Sequence, residues 1–136
     1  MKKYAILALA FLAGSGSALA ADRTVDIGAV GATIAVCNGT TADKVTYAGG
    51  SGAVVSLTDS FIKTGFVVQC SANSHVAVIN ASGTLYQVGS GSAKGNQSFK
   101  GSSNGGAVVV SLQCTGTNNA CTDANAASAA VAAVSM

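Results

Sequence analysis

Residues 24–36 read Thr-Val-Asp-Ile-Gly-Ala-Val-Gly-Ala-Thr-Ile-Ala-Val. Val25, Ile27 and Ala29 put apolar side chains on odd positions; Val30, Ala32, Ile34 and Val36 continue on even ones. A strand has a side-chain period of two, so it cannot change face without an extra residue or a break. Gly28 and Gly31 flank the change. Two readings fit. One is a β-bulge inside a single long strand. The other is two pieces, an N-terminal extension over 21–29 and a domain that begins near Val30.

The same alternation recurs downstream. Short runs rich in β-branched residues occupy 44–48, 53–58, 60–70, 75–80, 84–88 and 107–114, separated by Gly, Ser and Asn clusters. That pattern predicts an all-β fold, a small antiparallel sandwich of about seven short strands joined by hairpins. Gly49-Gly50-Ser51-Gly52 and Asn80-Ala81-Ser82-Gly83 supply turn residues that tolerate positive φ. Gly89–Asn96 and Gly101–Gly106 read as longer flexible loops around a short run at Phe99. Phe66, Val68 and Cys70 share one face of a regular strand, and Val108, Val110, Leu112 and Cys114 share one face of another. The two segments match as apolar-x-apolar-Gln-Cys-Ser/Thr, over Phe66–Ser71 and Val110–Thr115. The tail, Ala124–Met136, is rich in alanine and has helix propensity that Asp123 could cap. A strand closing the domain is the competing expectation and the one favoured here.

Upstream of the decisive stretch, Lys2-Lys3, the apolar run Tyr4–Ala13, and Ala18 and Ala20 form the three parts of a cleavable signal peptide over 1–20. The run is short of the roughly 20 residues a membrane-spanning helix needs, so no span is expected after cleavage. Ser15 stands where a lipoprotein signal carries its cysteine. The expected organisation is 1–20 signal peptide, 21–29 possible extension and 30–136 one β-rich domain.

Beyond residue 20, Arg23, Lys44, Lys63, Lys94 and Lys100 balance Asp22, Asp26, Asp43, Asp59 and Asp123. With no net charge and no basic cluster, neither nucleic acid nor an anionic membrane surface is an expected partner. The aromatics that remain are Tyr47, Phe61, Phe66, Tyr86 and Phe99. A core built mostly from Val, Ile, Leu and Ala buries little area per residue, so covalent ties matter.

The cysteines Cys37, Cys70, Cys114 and Cys121 are even in number, which in an exported chain implies two disulfides in one of three connectivities. Cys37–Cys70 with Cys114–Cys121 is favoured, because the second closes the turn-rich Thr-Gly-Thr-Asn-Asn-Ala loop. No Cys-x-x-Cys pair points to a metal.

Chemistry-bearing groups are scattered. His75 is the one histidine, and no Gly-x-Ser-x-Gly elbow accompanies it. Asp43, Asp59 and Asp123 sit beside turns, where capping explains them. The triplets at Asn38, Asn80 and Asn96 match the glycosylation pattern only as a chain rich in Asn, Ser and Thr does by composition. No enzyme activity, cofactor or metal is expected.

Small residues, neutral charge, disulfides and strong β-propensity resemble the general layout of exported subunits of bacterial surface fibres. That resemblance implies a structural subunit, extracellular or at the cell surface, that forms a homopolymer. Val25, Ile27 and Ala29 would then be the side chains of a polymerisation strand lent to the next copy's sheet. The alternative is a monomeric secreted or periplasmic binding module, for carbohydrate or surface adhesion, with Tyr47 or Tyr86 as an aromatic platform. An amyloid-type matrix protein is a third class, favoured by low charge and absent proline.

Overall fold

A computed structural model describes residues 21–26, 30–48, 61–62 and 66–133. It is an all-β, sandwich-like fold with one helix. The strands are β1 (Ala21–Asp26), β2 (Thr33–Asn38), β3 (Asp43–Ala48), β4 (Phe66–Cys70), β5 (Ser74–Asn80), β6 (Tyr86–Ser92), β7 (Gln97–Ser102) and β8 (Val109–Gln113), followed by α1 (Asp123–Ala132). One sheet has the order β1-β3-β4, the other β2-β5-β6-β7-β8. All ladders are antiparallel except β1 on β3, which is parallel.

The face change near residue 30 is a break, not a bulge. β1 ends at Asp26 and β2 begins at Thr33, and the two lie in different sheets. Gly31 makes the turn at φ +84° and its N–H donates to the Asn80 carbonyl at 2.9 Å. A bulge does occur, but later: Ala35 pairs with Ala77 while Cys37 pairs with Val76. Val36 and Cys37 are consequently both buried, and Cys37 turns to the face that Val76 occupies.

That face meets the three-stranded sheet. Val36, Cys37, Val45, Cys70 and Val78 form its core, with Val25, Ile34, Val68, Val76 and Val88 packed around them. Cys37–Cys70 joins the two sheets, with Cα atoms 5.5 Å apart. The opposite face, carrying Ala77 and Ile79, packs against Ala126 and Ala130 of α1.

The tail is therefore a helix rather than a closing strand. Thr122, not Asp123, is its N-cap: its hydroxyl accepts from the Asn125 N–H, and the Asn125 side chain accepts from the Thr122 N–H. Ala126, Ala129, Ala130 and Ala133 are buried at helical spacing. Lys100 Nζ donates to the Ala132 carbonyl at 2.9 Å, placing a cation at the helix C-terminus. Thr122→Ala is expected to cost about 1 kcal/mol of stability, read by chemical denaturation, since it leaves an amide at the helix start without its acceptor.

Two loop expectations change. Gly89–Ser92 belongs to β6, and the run at Phe99 is the full strand β7. Glycine at 89 leaves no Cβ, and the helix backbone uses that space. Asn80–Gly83 does turn the chain between β5 and β6. The expected strand over 53–58 and the turn at 49–52 lie outside the described residues.

Candidate assembly surface

Three features sit where another molecule can reach them. The first is β1, at the edge of its sheet. Arg23 Nε donates to Asp43 Oδ2 at 3.0 Å, and Arg23 Nη2 donates to the Val36 carbonyl. Asp43 is buried, and its Oδ1 has no hydrogen-bond partner. A buried carboxylate is costly unless a cation faces it, so Arg23 ties β1 to β3. Val25 packs on the core from the same strand. Of the three side chains assigned to a polymerisation strand, Val25 is thus docked in its own subunit, while Ile27 and Ala29 lie outside the described residues. The pairing of Asp43 with Arg23, across twenty positions, replaces the turn-capping role expected for it.

The second feature is β8, the edge strand of the larger sheet. Val108, Val110 and Leu112 are 71%, 50% and 48% exposed. No charged residue occurs from Gly101 to Thr122. An apolar, uncharged sheet edge is a template for pairing with another chain. β8 also departs from the expected single face. Phe99 pairs with Val110 and Gln97 with Gln113, so β8 carries one extra residue between them. Cys114 then reaches Cys121 over Gly91, on the helix side, and the second disulfide closes with Cα atoms 4.8 Å apart.

The third feature is a cleft of about 410 Å³ at one end of the larger sheet, on the face away from α1, walled by Ser74, Val76, Ser90, Ser92, Gln97 and Phe99. The ring of Phe99 is 40% exposed. Tyr86, one of the two expected platforms, is instead stacked on Phe61 with ring centroids 5.8 Å apart. The side chain of Tyr47, the other, is outside the described residues.

His75 also borders this end but turns to the helix side. Its Nδ1 lies 2.7 Å from Asp123 Oδ1, and its ring packs against Gly39 so closely that a Cβ there would sit 2.3 Å from Nε2. Two members of a Ser-His-Asp set are therefore paired, but no serine or threonine hydroxyl among the described residues bonds to the ring. The pair holds the start of α1 to the start of β5.

All four thiols are consumed in disulfides, and the described residues hold no cluster of three His, Cys or Asp side chains. Two disulfides fit an oxidising compartment. No helix among the described residues is long and apolar enough to cross a membrane. Compared with protein-family models, curated proteins and solved structures, the chain matches none.

Proposed function

We propose that the protein is an exported structural subunit that self-associates into an extracellular fibre, each copy lending segment 21–29 to the next. The docking of β1 carries this reading. Its ladder on β3, the Arg23–Asp43 pair, the Arg23 bond to the Val36 carbonyl and the packing of Val25 all involve partners from residue 33 onward. A second copy offers the same partners. Exchange therefore conserves these contacts, and what it must overcome is chiefly the entropy of association. β1 and β2, consecutive along the chain, already belong to different sheets. Exchange in a head-to-tail sense propagates as a filament when the rotation between copies does not close a ring. The signal segment at 1–20 and the two disulfides support export.

Charge reversal tests this. Arg23→Asp alone and Asp43→Arg alone should each abolish polymers in light scattering and electron micrographs. An equimolar mixture should restore them, because each junction then pairs opposite charges between copies. The double variant Arg23→Asp/Asp43→Arg controls for folding. A synthetic peptide of residues 21–29, added in excess to the unaltered mature protein, should shorten its polymers. A mixture that stays monomeric, or polymers indifferent to both the variants and the peptide, would show that β1 is not exchanged.

A further inference from the structure

From the cleft at the sheet end we infer a binding site for a neutral oligosaccharide, with Phe99 as its stacking platform. Strand register sets two rows on this face. Val76 pairs with Ser90, Ser90 with Phe99 and Phe99 with Val110, which gives one row with the aromatic ring at its centre. Two residues along β5, β6 and β7, and three along β8 where its extra residue lies, Ser74 pairs with Ser92 and Gln97 with Gln113, giving a row of hydroxyls and amides. The rows are about 7 Å apart and neighbouring strands about 4.8 Å apart, so the face is apolar except for Ser90 in one band and hydrogen-bonding in the next.

A pyranose has the same division, with C–H groups on the ring face and hydroxyls around its rim. Stacked on Phe99, it would present those hydroxyls to Ser90, Ser92 and Gln97. The volume of about 410 Å³ lies within the roughly 300–1,000 Å³ typical of small-molecule sites. Charge narrows the ligand class further. Among the described residues the wall carries no Asp, Glu, Lys or Arg, and the one ionisable residue among them, His75, is engaged by Asp123 on the other face. Nothing there would offset the desolvation of a charged ligand, which favours an uncharged one. The cleft is lined by residues of β5, β6 and β7 and the loop between β6 and β7, and it uses none of the residues assigned to strand exchange.

The test is titration of the mature protein with cellotetraose, mannotetraose and chitotetraose, followed by amide and side-chain chemical shifts. At least one sugar should shift Ser90, Ser92, Gln97 and Phe99 in a saturable way. Phe99→Ala should weaken that binding about tenfold, and Phe99→Tyr, which keeps the ring, should retain it. Polymer formation and melting temperature, scored on the same samples, should not change with Phe99→Tyr. Absence of saturable shifts with all three sugars, or binding that Phe99→Ala leaves intact, would overturn the proposal.

Discussion

Replacing Cys37 and Cys70 by alanine together should lower the stability of the folded domain by about 3–4 kcal/mol. The bridge spans 33 positions, and closing a loop of that length removes about this much chain entropy from the unfolded state. The folded state makes the loss more serious. The bridge joins β2 in one sheet to β4 in the other, across a core made mainly of valine. An apolar cleft of about 180 Å³, partly open to solvent, lies among Val36, Val68, Val76, Val78 and Val88. The melting temperature should fall by about 15–20 °C. Cys114→Ala with Cys121→Ala is the comparison. It opens a loop of only 7 positions, so its cost should be nearer 2 kcal/mol. Urea unfolding of both variants measures the difference. Equal losses would mean that loop length and sheet linkage do not govern the effect.

The second large effect is expected at Gly89. A Cβ there would lie 2.0 Å from the Ala126 carbonyl oxygen and 2.3 Å from the Ala130 nitrogen. Both are helix backbone atoms, so no side chain can swing aside. Gly89→Ala should force α1 off the sheet and cost about 3 kcal/mol, the upper end of ordinary overpacking. Hydrogen exchange should accelerate in α1 and in β5, whose Ala77 and Ile79 lie beneath it. Gly101→Ala is the control: its Cβ would meet only Val108 Cγ2, at 3.4 Å. That substitution should be close to neutral. Similar losses at both positions would mean that contact with the helix backbone is not the cause, since the backbone-entropy change of Gly→Ala favours folding at either one.

How far the fold was legible follows from the range of the forces involved. The β class and the two cysteine pairs were readable because alternation and loop composition are local. The helix was not, because the tail carries small residues on every side. Ala126, Ala129, Ala130 and Ala133 are buried at helical spacing, yet exposed Ala124 looks the same in sequence. The flat surface at Gly89 lets an alanine face approach closely, and no scan of the tail alone contains that surface. The full extent of strand β7 was hidden for a related reason, since Gly101 and Ser102 read as loop until β6 pairs with them.

The candidate site divides in the same way. Val25 could be singled out by parity, but Arg23 and Asp43 could not, because their pairing is a tertiary event across twenty positions. Phe99 read as the centre of a short run between two loops, and its exposed side chain gains a role only from the rows of β5, β6 and β8 around it.

From its sequence alone, then, this chain is strand-rich, nearly uncharged beyond residue 20 and suited to two disulfides, because those properties depend on residue type and short spacing. Only the tertiary structure decides which side each cysteine faces. In both β2 and β8 one extra residue reverses the alternation, so that Cys37 meets the opposing sheet and Cys114 meets the helix side. The reason is that a strand's register is set by hydrogen bonds to its neighbour, and a single added residue turns over every side chain beyond it.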